Sequence, residues 1–120
     1  MCIRDRADIK TISACGCYAA SAITAITVQN TLGVSAVHAV PVEILEGQIE
    51  AVLSDIGADA IKIGMLHSSE VVRCVRKMLD KFEARNVVLD PVMVSTSGHR
   101  LIEEEAVSYT HLTLPTILLV

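Results

Sequence analysis

Three polar signatures in this chain each follow directly on a short apolar run: Gln29-Asn30-Thr31 after residues 23–28, Gly64-Met65 after 60–63, and Asp90-Pro91-Val92-Met93 after 87–89. The Gln29 amide donates and accepts at once, which suits the edge of a nitrogen heterocycle. A strand-end amide can equally satisfy loop backbone. Met65 and Val92 offer apolar surface suited to walling in a flat ring, and either also serves as plain core. Asp90 follows an apolar run and precedes a proline, so its carboxylate is expected in the loop, where it can hold magnesium or order water near a phosphate. The plainer role is a turn-forming Asp bonded to backbone two residues on. Ser95-Thr96-Ser97-Gly98 supplies hydroxyls and flexible backbone that can cradle an anion or simply turn the chain.

These residues need elements to hold them. Residues 41–56 place Leu45, Ile49, Val52, Leu53 and Ile56 on one helical face and Glu43, Glu46 and Glu50 on the other. Pro41 suits a first turn and Gly57 the left-handed position beyond a helix end. Residues 68–85 repeat the design with Val71, Val75, Met78, Leu79 and Phe82, a serine cap at Ser68 or Ser69, and Lys77, Lys81 and Arg85 toward the negative end of the dipole. The runs 23–28, 60–63 and 87–89 read as strands buried on both faces. Strand, helix, strand, helix, strand implies right-handed crossovers and a parallel sheet, with the three signatures sharing one crevice at its carboxyl edge. Residues 7–14 read as a further helix, with Asp8 and Lys10 near its start. Asp8 is expected there for the helix dipole alone. Residues 32–40 alternate weakly around Val34, Ala36 and His38 and read as a small flap outside the main sheet.

The chain is 52% hydrophobic with 2% aromatics, so the core must be built from Ile, Val, Leu, Met and Ala. That filling is usual for a sheet covered by helices. A net charge of −4 makes nucleic acid a poor partner. No apolar run approaches the roughly 20 residues of a membrane span, so a protein without membrane partners is expected. Cys15, Cys17 and Cys74 form no Cys-x-x-Cys pair and no metal spacing with His38 or His67, and read as buried thiols of a reducing cytoplasm. His38, His67 and His99 have no partner at catalytic spacing. Gly-x-x-x-x-Gly-Lys-Ser/Thr and Gly-x-Gly-x-x-Gly are both missing, which leaves phosphate-loop and dinucleotide chemistry unsupported.

Both ends look foreign. Met1-Cys2-Ile3-Arg4-Asp5 written as ATG-TGT-ATA-AGA-GAC has the reverse complement GTC-TCT-TAT-ACA-CAT, which encodes Val-Ser-Tyr-Thr-His, the peptide at residues 107–111. Inverted copies of one DNA element at the two termini resemble translated adapter or transposon-end DNA. The expected organisation is therefore an adapter-like scar at 1–6, a partial domain at 7–106 and a second scar at 107–120. Other codons in the source DNA would refute this.

Taken together, Ala7-Asp8-Ile9-Lys10-Thr11, the segment from Ile23 to Thr31, Lys62-Ile63-Gly64-Met65, and Val88-Leu89-Asp90-Pro91-Val92-Met93 with Ser97-Gly98 resemble the hydroxymethylpyrimidine/phosphomethylpyrimidine kinases of thiamine biosynthesis, in the ribokinase-like superfamily. The resemblance covers essentially all of 7–106 in order and spacing. It implies an α/β fold, a fragment of a parallel-sheet sandwich with helices on both faces. It also implies a cytoplasmic, ATP- and Mg2+-dependent kinase that phosphorylates 4-amino-5-hydroxymethyl-2-methylpyrimidine and then its monophosphate. Carried over by position, Asp8 and Gln29 bind polar groups of the pyrimidine, Met65 and Val92 flank its ring, and Asp90 lies near the phosphate and metal. The flap closes over substrate and often supports a homodimer. The family's first strand and its later nucleotide and catalytic segments have no counterpart in 7–106, so this fragment is expected to be inactive by itself. The rival within the superfamily is a pyridoxal or pyridoxine kinase; from another class, a noncatalytic α/β interaction module.

Overall fold

The computed structural model describes residues 4–90 and 118–119. In chain order the elements are α1 (Arg4–Ala14), β1 (Ala25–Gln29), β2 (Val34–Ala39), α2 (Val42–Asp55), β3 (Ile61–Ile63), α3 (Ser69–Lys81), β4 (Val87–Leu89) and β5 (Leu118–Leu119).

The helix α3 starts because the Ser68 side chain accepts a hydrogen bond from the Val71 amide at 3.3 Å, filling the role expected of a serine cap. A cap of this kind contributes about 1 kcal/mol. Its apolar stripe buries Val71, Val72, Cys74, Val75, Met78 and Leu79. The helix α2 presents Leu45, fully buried, to the same cluster, with Val42 and Ile49 packed at its edge. Pro41 stands one place ahead of the first turn, in extended conformation, and its carbonyl accepts from Ile44 and Leu45. Gly57 takes a φ of +76° just past the helix, as its position predicts. Ile56, expected on the apolar face, is 55% exposed because the helix stops at Asp55 and the chain turns outward.

Across the outer surfaces of these two helices, Lys77 Nζ meets Glu46 and Lys81 Nζ meets Glu50, each at 2.7 Å. The hydrogen bond that Lys77 donates to Glu46, and then the Glu46 charge, push the Lys77 ammonium pKa up. Exposed pairs of this sort align helices more than they stabilise them. Cys74 is buried as expected, and that burial, ahead of the nearby Glu46 charge, pushes its thiol up. Cys15 and Cys17 are instead exposed, which corrects the expectation of buried thiols. They flank Gly16, at a φ of +81°, in the turn that ends α1.

The strands β3, β4 and β5 form a parallel sheet in that order, with Ile61 opposite Val87, Lys62 opposite Val88, and Ile63 opposite Leu89. The unit β3-α3-β4 is thus the parallel crossover that the sequence pattern predicts. Two short segments of this architecture fall within the expected scars: the start of α1 at Arg4, and β5, which pairs with β4.

The first strand differs from expectation. Rather than joining the parallel sheet, β1 pairs antiparallel with β2 from Ala25 opposite Ala39 to Gln29 opposite Val34, with an irregularity between Val28 and Gln29. Asn30 Oδ1 closes the turn by accepting from the amides of Leu32 and Gly33. Ile26 and Val28 consequently point outward, 58% and 61% exposed, where burial on both faces was expected. The flap reading of the second run holds, since β2 stands outside the main sheet.

Candidate functional site

Side-chain alternation along the parallel sheet sorts its residues by face. Ile63 and Leu89 lie in register and are buried in the cluster formed with α2 and α3. Lys62, one residue away in a strand of period two, must therefore project to the opposite face, and so must Asp90, one residue beyond Leu89. The backbone confirms the register at this edge, because the Asp90 amide donates to the Ile63 carbonyl at 2.8 Å.

On that second face the three charged groups meet. Lys62 Nζ donates to both oxygens of Asp8, at 2.6 and 2.8 Å, and lies 3.6 Å from Asp90 Oδ2. Asp8 is carried by α1, Lys62 by the middle of β3 and Asp90 by the end of β4, so three elements converge on one ammonium. Each side chain is about one-third exposed, at 35%, 33% and 31% in that order. The site is wet enough for ligand to enter and enclosed enough to fix geometry.

Gly64 and Met65 follow β3 at the same edge. A Cβ added at Gly64 would meet nothing within 4 Å among the described residues, so space beside the strand end is open. The carbonyl of Met65 accepts a hydrogen bond from Thr24 Oγ1 at 2.9 Å, which ties the base of the β1–β2 ribbon to the sheet edge. Behind it, the Gln48 side chain of α2 grips Ile23 from both sides, its Oε1 accepting from the Ile23 amide at 3.0 Å and its Nε2 donating to the Ile23 carbonyl at 3.2 Å.

The sequence-predicted residues are therefore distributed unevenly. Asp8 and Asp90 come together, joined by Lys62, and Met65 lies at the same sheet edge. Gln29 does not share the crevice as a third parallel strand end: it is the last residue of β1, about 16 Å along the strand from Thr24 at ordinary strand rise. There it is half-buried beside an open depression lined by Val28, Asn30, Leu32 and Ser35. The two oxygens of Asp8 each accept once from Lys62 and keep further acceptor capacity. Val92 and the stretch 95–98 lie outside the described residues. His38 is exposed on β2, and His67 is half-buried just ahead of the Ser68 cap.

Lys62 is the residue that sequence reasoning passed over as a functional group. Its signal was a lysine between two isoleucines in a strand read as buried on both faces. A charge there requires a partner, and the two acidic signatures were available.

Among the described residues no group of three His, Cys, Asp or Glu side chains is placed to hold a metal. Magnesium does not require one, since it retains waters and is commonly held by one or two carboxylates together with substrate phosphates. Asp90, a partly exposed carboxylate at a parallel strand end, fits that donor set.

A parallel sheet carrying a carboxylate at its carboxyl edge, with helices and a separate β-ribbon beside that edge, is an α/β fold of the ribokinase-like class seen in the solved structures it superposes on. The phosphomethylpyrimidine kinase family model matches residues 6–120, and the chain belongs to that family. It is 50% identical over 103 residues to the hydroxymethylpyrimidine/phosphomethylpyrimidine kinase of Rhizobium meliloti, covering 86% of this chain and 38% of that one. The crystal structure of phosphomethylpyrimidine kinase from Clostridium difficile superposes with a TM-score of 0.78 at 48% identity, over 85% of this chain and 44% of the other. The pyridoxal kinase from Staphylococcus aureus superposes with a TM-score of 0.76 at 31% identity, over 94% and 41%. The chain thus spans well under half the length of the curated relatives it matches. Among the described residues no helix is long and apolar enough to cross a membrane.

Proposed function

We propose that the enzyme carrying this segment transfers the γ-phosphoryl group of ATP to the hydroxymethyl oxygen of 4-amino-5-hydroxymethyl-2-methylpyrimidine, releasing ADP, and then phosphorylates the resulting monophosphate. The observation that carries this reading is the placement of Asp90 at the carboxyl edge of the parallel sheet, beside Lys62, in a chain of this family. Phosphoryl transfer asks a protein mainly to position reactants and stabilise charge. Bound magnesium would offset the negative charge spread over the phosphate oxygens, with Asp90 holding it.

Met65 and Val92 flank the pyrimidine ring in this reading, and the Gln29 amide matches its exocyclic and ring nitrogens. Asp8 binds a polar group of the pyrimidine in this reading while also accepting from Lys62, each carboxylate oxygen keeping a further lone pair. The exposed Ile26, Val28, Leu32 and Val37 on the ribbon supply an apolar surface for a homodimer of the whole enzyme, which we place in the cytoplasm of its host. The reading of 1–6 and 107–120 as adapter-derived rests on their reverse-complement relation. An unpaired edge of β4 can accept any short apolar strand, so pairing with β5 is compatible with that origin.

The pyridoxal alternative is the weaker one, since identity falls from 48% to 31% between the two solved relatives. Substitution of Gln29 by Leu tests its place in the pyrimidine site and separates a kinase from a noncatalytic interaction module, which has no pyrimidine binding to lose. Loss of a neutral hydrogen-bonding pair is expected to raise the pyrimidine KM about tenfold while leaving the ATP KM unchanged. A pyrimidine KM equal to that of the parent enzyme would remove Gln29 from the site.

A further inference from the structure

Lys62 stands in the middle of β3, between Ile61 and Ile63, on backbone fixed by its register with Val88. Its ammonium donates to both oxygens of a single carboxylate, at 2.6 and 2.8 Å from Asp8, and lies 3.6 Å from Asp90, beyond hydrogen-bond reach. The last torsion of an aspartate has a broad, roughly two-fold profile, so a carboxylate held by one oxygen or none turns readily about it. A cation bridging both oxygens removes that freedom. It also settles which acceptor positions are left, because those facing the ammonium are used and those on its far side remain. The Asp8 side chain is 35% exposed, so a ligand can reach them.

From this we infer that Lys62 is a positioning residue: by gripping both oxygens of Asp8 it aims the remaining acceptor positions at the amino group of the pyrimidine. The inference rests on the kinase reading, in which Asp8 binds a polar group of that ring. An ionised carboxylate only accepts, and the substrate offers two donors, the amino N–H and the hydroxymethyl O–H. The hydroxymethyl oxygen takes the phosphoryl group in the first step, so the amino group alone of these two donors persists into the second substrate. It carries two N–H bonds, which leaves one for Asp8 when the Gln29 amide takes the other. A ring without that donor leaves the oriented acceptor unpaired and is bound less well.

The test uses the full-length enzyme assayed by ADP release, with the same ring lacking its amino group measured as a competitive inhibitor. Asp8→Asn is expected to raise the KM for the amino substrate about thirtyfold, as for loss of a charge-assisted hydrogen bond. Lys62→Met should raise it about tenfold with the ATP KM held within about twofold. Added to Asp8→Asn, Lys62→Met should change the pyrimidine KM less than about twofold, because nothing is left to position. The inhibition constant of the ring without the amino group should stay within about twofold of the parent's in Lys62→Met. Lys62→Arg, whose planar fork can serve both oxygens, should bring the amino-substrate KM back to within about threefold of the parent. Thermal unfolding checks each variant, and Lys62→Gln takes the place of Lys62→Met in the same comparisons should the latter not fold.

Additive effects of the two substitutions on the pyrimidine KM overturn the inference. So does an ATP KM that rises with it, which would assign the ammonium to the phosphates, and so does an equal loss for both rings. An Asp8→Asn enzyme with the parent's pyrimidine KM overturns the inference and leaves the substrate assignment standing. A parent enzyme that phosphorylates no pyrimidine overturns both.

Discussion

Replacing Asp90 by Asn is expected to reduce kcat by about 10² to 10³ in the full-length kinase, the range seen when one preorganised charge-stabilising group is removed from a transition state. The substitution keeps size and shape. It also keeps the backbone hydrogen bond from residue 90 to Ile63, so the sheet edge should survive. What it removes is the carboxylate beside Lys62, and with it the charge that a magnesium ion needs. Raising the magnesium concentration should recover only part of the rate, because an amide oxygen is a poorer ligand and the neighbouring ammonium is then left with Asp8 alone. An assay of ADP release at several magnesium concentrations checks this. A kcat within about threefold of the parent would show that Asp90 is a turn residue and that the cation is held elsewhere.

The second large effect belongs to the core. Met78→Ala is expected to destabilise the folded domain by about 2 to 5 kcal/mol, since Met78 is wholly buried between α2, α3 and the sheet. Its neighbours in that cluster, Leu45, Val71 and Leu89, are each held on a different element or turn and cannot collapse together into the space. Set against a typical stability of about 5 to 15 kcal/mol, one such cavity consumes a large share of the total. Met78→Leu nearly conserves volume and should cost less than about 1.5 kcal/mol. Ile56→Ala, at a position 55% exposed, should stay within about 0.5 kcal/mol. Urea unfolding of the three variants, compared at unchanged slope, measures the differences. Equal midpoints for Met78→Ala and Ile56→Ala would mean that the cluster is not the core.

What could be read from the sequence follows from how local each signal is. The helices α2 and α3 announce themselves through their apolar stripes and their Ser68 and Gly57 boundaries, all within one element. The parallel pair β3 and β4 is implied by the helix between them. The strand β1 was misplaced because its run, Ile23-Thr24-Ala25-Ile26-Thr27-Val28, puts threonine at every polar position, and threonine fits a buried strand and a half-exposed ribbon equally well. Its pairing was decided by a partner segment and by the Asn30 turn, which together outweigh the run's own composition. The site divides the same way. Asp90 and Met65 were recognisable as strand-end residues, whereas the link from Asp8 to Lys62 joins positions far apart in sequence and requires the fold to be seen.

The bond between Thr24 and Met65 gives the ribbon a mechanical role. Its two legs leave the body at Thr24 and Val40, which are themselves joined by a backbone hydrogen bond, and Gln48 clamps the chain immediately before the first leg. The base of the ribbon is thus fixed to the sheet edge at Met65 and to α2 at Gln48, while Gln29 stands at its far end. A single side-chain hydrogen bond therefore joins the ribbon that ends in Gln29 to the loop that carries Met65, so that the two lie on one continuous scaffold.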